Sequence, residues 1–131
     1  MIYQLAKQHD IFIIGEPLGD FHGYYNNIDD HKIIHVNTRV PQPFQKYVVA
    51  FLVYGAMKQP NKLLYLRKTA QEYTDREREA ALFALRMHFS DLADEYINAC
   101  ESDRKQIEDN LKRLFVQDNL NSYEIIMNTI L

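Results

Sequence analysis

The chain has 131 residues, enough for one domain with a core of its own. Apolar residues make up 47% of it, which excludes an intrinsically disordered chain. The formal net charge is −3, and the single cysteine, Cys100, excludes an internal disulfide. We therefore expect one cytoplasmic domain, residues 1–131, from a reducing compartment.

The charge is divided unevenly along the chain. Residues 1–70 contain 8 Lys/Arg and 5 Asp/Glu, whereas residues 71–131 contain 7 Lys/Arg and 13 Asp/Glu. Affinity for nucleic acids depends on neutralising phosphates, so the acidic half argues against direct nucleic-acid binding. Two interpretations of the acidic half stay open, a solvated helix surface and a docking face for a basic partner.

The first predicted elements are a short helix and a small sheet. Apolar spacing predicts a helix over residues 2–9, and a β-branched run predicts a buried strand over residues 11–14. Residues 23–25 and 32–37 flank the sequence NNIDDH. Because Asn and Asp favour turns, this pattern predicts a β-hairpin with a loop of about six residues.

The stretch FQKYVVAFLVYGAM, residues 44–57, predicts the central helix of the domain. Pro43 precedes it and Pro60 follows it, where proline fits the first turn of a helix and prevents its continuation. Every residue from 47 to 57 is apolar, aromatic or Gly, and such a helix is normally buried on all sides. The run is shorter than the about 20 residues that cross a bilayer, so no membrane contact is expected.

The second half is predicted to be mainly helical. Residues 59–73 fit a loop or a helix equally well. Thr74 and Glu77 form a capping box that opens a helix ending near His88. Its expected apolar face comprises Ala80, Phe83, Ala84 and Met87. Three further helices are expected, over residues 92–99, after a cap at Ser102 (with Ile107, Leu111, Leu114 and Phe115), and after a cap at Ser122.

Two segments resemble motifs of the ImmA/IrrE family of metallopeptidases. The segment IHVNTRVPQPFQKYVVAFLVYGAM is similar to the family's strand ending in I-x-V/I-N, its Pro-containing loop and its zinc helix R-F-x-x-A-H-E-x-G-H. The segment EREAALFALRMHF resembles the second motif, E-x-E-A-N-x-F-A-x-x-L-L, but has Ala81 in place of the Asn. Its matches are Glu77, Glu79, Ala80, Phe83 and Ala84.

The resemblance covers residues 1–90 and implies the fold class. We expect a zincin-like α+β domain in which a small antiparallel or mixed sheet packs on a mainly helical body. Residues 1–90 would form the metallopeptidase-like core, and residues 91–131 would add C-terminal helices.

The zinc chemistry of the family is missing from this chain. When Ala50 is placed on the family's Ala, the sequence FLVYG replaces the HExxH motif. Phe51 and Gly55 then occupy the two His positions, and Leu52 occupies that of the catalytic Glu. Catalytic zinc needs about three protein ligands and a bound water, and none of these side chains carries a donor atom. We expect no metal, no cofactor and no catalytic residue here.

Glu79 falls on the position of the family's third ligand and is interpreted as vestigial. It precedes Phe83 by one helical turn and so leans toward the apolar face. Two environments stay open for it. Glu79 is either solvated and paired with Arg76, or it is partnered by Tyr54, Tyr47 or a lysine in place of the metal.

The remaining reactive residue types carry no recognisable site. The histidines are scattered, and His31 and His35, although four residues apart, fall on a predicted loop and strand rather than on one helix. Surface or hydrogen-bonding roles are expected for all five, His9, His22, His31, His35 and His88. Cys100 is expected in the core rather than as a nucleophile.

The resemblance implies a catalytically inactive metallopeptidase-like protein that binds a protein partner. Family members act on helix-turn-helix repressors of phages and mobile elements, so such a regulator is the candidate partner. Two alternatives stay open, an active metallopeptidase with a non-standard metal site, and a phage accessory or structural protein that uses the fold as a scaffold. The candidate contact residues surround the former cleft mouth and are basic: Lys58, Lys62, Arg67 and Lys68.

Overall fold

The computed structural model of the protein describes residues 2–40, 42–67, 74–88, 94 and 96–114. In chain order the elements are α1 (Ile2–Gln8), β1 (Ile11–Glu16), β2 (Phe21–Ile28), β3 (His31–Asn37), α2 (Gln42–Lys58), β4 (Leu64–Arg67), α3 (Asp75–His88) and α4 (Glu101–Leu114). Residues 94 and 96–98 are also helical. The α+β class predicted from the sequence is confirmed. The helix expected after Ser122 lies outside the described residues.

The four strands form one mixed sheet in the order β1-β3-β2-β4. β1 is parallel to β3, whereas β2 is antiparallel to both β3 and β4. As a result β1, β3 and β4 all run in the same direction. A bulge between Phe21 and Gly23 shifts the register of β2 against β4.

The hairpin between β2 and β3 is tighter than predicted. Its strands continue to Ile28 and His31, which pair with each other, so only Asp29 and Asp30 form the turn. Both turn residues have positive φ, 50° and 64°, as a type I′ turn requires. The prediction of a six-residue loop was wrong.

Tertiary contacts explain why two asparagines lie in strand β2 rather than in the turn. The Asn27 amide donates a hydrogen bond to the Pro60 carbonyl at 3.1 Å. The Asn26 Oδ1 lies 3.3 Å from Nε2 of His35 on the neighbouring strand. Polar side chains with such partners offset the weak strand propensity of asparagine.

α2 is the centre of the core, as its sequence predicts. Residues 47–53 have no exposed surface, and Phe44 and Ala56 are equally buried. One side of the helix packs on the sheet and another side packs on α3. The sheet approaches so closely at Gly23 that a Cβ there would lie 2.8 Å from Val48 Cγ1. A side chain at position 23 would therefore push α2 off the sheet.

The capping box at the start of α3 is confirmed. The Glu77 backbone N–H donates to Oγ1 of Thr74 at 3.2 Å, and the Thr74 N–H donates to Oε1 of Glu77 at 3.0 Å. The segment left undecided by the sequence contains strand β4. None of the described helices is long and apolar enough to span a membrane.

Three local predictions were wrong. β1 is buried on one face only, since Phe12 and Ile14 are exposed. Ser102 does not cap α4, because the helix begins at Glu101 and the Arg104 N–H already donates to the carbonyl of Cys100. The Cys100 thiol is exposed rather than buried, with its Sγ 3.3 Å from the Ser102 hydroxyl.

Candidate functional site

The position that the sequence resemblance would assign to a zinc site is filled by packed side chains. Phe51 and Leu52 have no exposed surface, and the Phe51 ring packs 6.3 Å from that of Tyr47. A Cβ at Gly55 would collide with Cδ2 of Leu64. An imidazole at position 55 has no room without moving β4, so the surroundings do not fit a zinc ion.

The described residues also lack an alternative donor set. Among them, no group of three or more His, Cys, Asp or Glu side chains is arranged to hold a metal ion. Glu79, the vestigial position, is exposed on α3. Its carboxylate accepts a hydrogen bond from the Tyr54 hydroxyl at 3.1 Å. Of the two environments left open by the sequence, the tyrosine partnership is the one observed.

Tyr54 connects α2 to α3 through its ring as well as its hydroxyl. The ring lies 5.2 Å from the ring of Phe83, and the Lys58 ammonium lies 5.8 Å above it. Burial raises the pKa of Tyr54 above its ordinary value, and the hydrogen bond to the Glu79 carboxylate raises it further. The hydroxyl therefore stays protonated and acts as a donor.

Arg76 does not pair with Glu79. Its Nη1 donates to the Leu63 carbonyl at 2.6 Å and its Nη2 donates to the Lys62 carbonyl at 3.1 Å. Burial lowers the pKa of its guanidinium from the ordinary value. These bonds fasten the first turn of α3 to the chain that enters β4, and so fix the distance between the two elements.

A groove of about 640 Å³ lies between β4 and the beginning of α3. Lys62 and Arg67, two of the predicted contact residues, line it. Lys58 lies over Tyr54 instead, and Lys68 is outside the described residues. The complete lining is Lys62, Leu63, Leu64, Tyr65, Arg67, Thr74, Asp75, Arg76 and Glu77.

A buried polar cluster, which the sequence reasoning missed, joins α3 to the C-terminal part. The Tyr96 hydroxyl donates to Oε2 of the buried Glu108 at 2.6 Å, and Arg78 forms ion pairs with Glu108 and Glu101. Burial raises the pKa of Tyr96, and the Glu108 hydrogen bond adds to this rise. The hydrogen bond to Glu101 raises the pKa of Arg78. The cluster is structural, because a paired buried charge is lost only at a large cost in stability.

The asparagine of the I-x-V-N motif also has a structural role. Asn37 is buried, and its amide donates to the carbonyls of Leu18 and Phe21 at 2.7 and 2.9 Å. Its Oδ1 accepts a hydrogen bond from the Arg39 N–H at 3.0 Å. This one side chain ties the β1–β2 loop to the segment that leads into α2, so the motif can be retained without any metal chemistry.

The residues that the sequence singled out therefore fall into three places. Phe51, Leu52 and Gly55 lie in the core, and Glu79 lies beside Tyr54. Lys62 lines the groove beside β4. Comparison of the chain with protein-family models, with curated proteins and with solved structures found no match.

Proposed function

We propose that this chain is a non-catalytic, zincin-like relative of the ImmA/IrrE metallopeptidases and binds a protein partner in the groove between β4 and α3. A regulator of a phage or mobile element, such as a helix-turn-helix repressor, is the candidate partner, and the complex would form in the cytoplasm. The observation that carries the proposal is an open groove next to a centre that is closed by packed side chains.

The closed centre supports the proposal that the protein is not a catalyst. Activation of water needs a metal or a base that the water can reach. Phe51 and Leu52 provide neither, and both are sealed from solvent. Glu79 is engaged by the hydroxyl of Tyr54.

The groove supports the proposal that the protein binds a partner. β4 is at the edge of the sheet formed by the described strands, and an edge strand offers free backbone groups to an extended peptide. α3 forms the opposite wall, held in place by Arg76. Lys62 and Arg67 line a groove that is also lined by Asp75 and Glu77. A partner segment matches this lining if it carries charges of both signs and has apolar side chains that pack on Leu63 and Tyr65.

The test uses a photo-crosslinking amino acid at position 62 in the source cells, with position 105 as the matched control. Lys62 and Lys105 are both exposed lysines, but Lys105 lies on α4 and outside the groove. A protein captured from position 62 and not from position 105 is the expected partner. With that protein purified, Lys62→Glu should slow association and change its salt dependence, whereas Lys105→Glu should not.

Two further measurements separate the proposal from an active metallopeptidase. Elemental analysis should find no stoichiometric zinc after mild dialysis, because tight zinc sites survive it. Glu79→Gln should leave partner binding unchanged. If Glu79→Gln abolishes the biological activity of a protein that remains folded, or if the partner is cleaved by the purified wild type, the non-catalytic proposal is wrong.

A further inference from the structure

The sheet has a second face that points away from α2. Side chains alternate along each strand, so Tyr25, Ile34 and Leu66 are buried against α2 while their neighbours point outward. We call the outward set the outer face. It consists of Phe12, Ile14, Phe21, Tyr24, Ile28, Ile33 and Tyr65, with the polar Asn26, His31 and His35 among them and with Glu16 and Arg67 at its two edges.

The outer face carries exposed apolar side chains. Phe12 is 59% exposed, Ile14 43% and Ile28 52%, so none of the described elements covers them. Isolated apolar side chains on a surface are ordinary, but a contiguous patch on adjacent strands marks an interaction surface. Here the exposed side chains lie on β1 and β2, and the partly exposed Ile33 of β3 lies between these strands.

An aromatic row makes the centre of this face rigid. The His35 ring stacks on Tyr24 at 4.3 Å, and the Tyr24 ring lies 6.0 Å from that of Tyr65. Nδ1 of His35 is 2.6 Å from the Glu16 carboxylate, which fixes the orientation of the imidazole. Binding on a preorganised surface loses little side-chain entropy.

We propose that the outer face binds the outer face of a second copy of this chain, forming a symmetric two-sheet dimer. The charges at the edges favour this occupant. Glu16 ends β1 at one edge, and Arg67 ends β4 at the other. Since β1 and β4 run in the same direction, the two charges lie at the same end of the sheet.

A two-fold axis along the strands converts this arrangement into two ion pairs. It places β1 of one copy over β4 of the other, so that Glu16 of each copy faces Arg67 of its partner copy. The same operation places the exposed Ile14 over Tyr65, because the strand register puts both level with His35 and Tyr24. Face-to-face sheets pack in this way at about 10 Å separation with strand directions within about 30°.

A single-stranded nucleic acid also stacks on aromatic rings, but it requires a basic groove as well. Arg67 is the only Lys or Arg among the outward positions of the four strands. The negative charge of Glu16 partly offsets the positive charge of Arg67. The chemistry of the face therefore fits a partner that offers apolar side chains, a few polar groups, one acid and one base, as a second copy of this chain does.

The size of the face sets the strength of the dimer. Four strands about 4.8 Å apart and six residues long at about 3.3 Å per residue give a footprint of roughly 400 Å² per copy. A standard stable interface buries about 800 Å² per partner. We therefore expect a reversible dimer with a dissociation constant in the micromolar range, on the order of 10–100 μM.

Sedimentation velocity between about 2 and 300 μM tests this, the range being chosen to bracket the expected dissociation constant. The wild type should shift from monomer to dimer with rising concentration. Arg67→Glu and Glu16→Arg should each weaken the dimer about tenfold, because each places like charges opposite one another twice. A mixture of the two variants should recover the wild-type affinity, since Glu faces Arg again in the mixed dimer. Circular dichroism checks that each variant is folded.

Two further variants keep the test decisive if Glu16→Arg fails to fold. Phe12→Asp should leave a folded monomer at every concentration, because it places a charge in the exposed apolar part of the face that the second copy would cover. Lys62→Glu, outside the outer face, should leave dimerisation unchanged, which separates this proposal from the groove. The proposal is overturned if the wild type stays monomeric, if the mixed variants fail to associate, or if the monomer instead binds oligonucleotides or another protein through Phe12.

Discussion

The substitution Phe51→His introduces a histidine where the sequence resemblance would align one, and it should cost much of the stability of the domain. Phe51 has no exposed surface, and its ring packs against that of Tyr47 one turn earlier on the same helix. Loss of a fully buried aromatic side chain removes about 1.5–3 kcal/mol of apolar burial. A buried imidazole without a hydrogen-bond partner adds about 1–3 kcal/mol. The free energy of unfolding should therefore fall by about 3–5 kcal/mol.

Urea denaturation followed by circular dichroism measures this change, since the midpoint shifts in proportion to stability when the slope is constant. Phe12→His is the matched control, because the same substitution occurs at a side chain that is 59% exposed. It should change stability by less than about 0.5 kcal/mol at low micromolar protein. Equal effects of the two substitutions, or no effect of Phe51→His, would show that position 51 is not in the core and that the alignment with the zinc motif is wrong.

Three other predictions concern single contacts, each measured by urea denaturation. Tyr96→Phe removes the donor to buried Glu108 and should cost about 1–3 kcal/mol at pH 7. Burial raises the pKa of Tyr96, so above about pH 10 this hydroxyl loses its proton in the unfolded chain before it does in the folded chain. The free energy of unfolding of the wild type should therefore fall there, and that of the variant should fall less. Parallel profiles of stability against pH would contradict this. Asp30→Gly should add about 0.5–1 kcal/mol by relieving a positive φ of 64°, and a loss would argue against the type I′ turn. Asn37→Ala should cost about 1–3 kcal/mol, since two partly buried carbonyls and one N–H lose their partner, and a cost below about 0.5 kcal/mol would contradict that role.

The sequence predicts the central helix and its partner well because both are specified locally. The unbroken apolar run explains the burial of residues 47–53, and the capping box of Thr74 and Glu77 forms as expected. Pro43 falls in the first turn of α2, where its missing N–H is not needed. Such signals lie within a few residues of one another, so they survive without knowledge of the rest of the fold.

The errors come from contacts between distant parts of the chain. Asn27 looks like a turn residue until Pro60, 33 positions later, accepts its hydrogen bond. LLYLR lies in the segment that the sequence left as a loop or a helix, and pairing with β2 makes residues 64–67 a strand instead. The half-exposed character of β1 depends on what packs on the sheet, and an apolar run of four residues does not contain that information.

The candidate site also has one part that the sequence predicts and another part that depends on contacts between distant residues. The absence of ligand atoms at Phe51 and Gly55 is legible from residue identity alone. The groove is not, because it exists only where Arg76 holds α3 at a fixed distance from the chain that enters β4. The tyrosine partner of Glu79 was among the alternatives, and the choice between them needed the geometry of the α2–α3 contact.

The completely buried α2 has a consequence for synthesis of the chain on the ribosome. The strands β1, β2 and β3 precede the helix, so one side of α2 is covered as soon as it emerges. The side that packs on α3 waits until His88 is made, 30 residues after Lys58. At a synthesis rate of about 5–20 residues per second, this apolar surface stays uncovered for roughly 2–6 s. During that interval the nascent chain exposes an apolar helix surface to chaperones and to neighbouring nascent chains on the same messenger RNA. This exposure precedes any contact that the sheet of the finished domain could make.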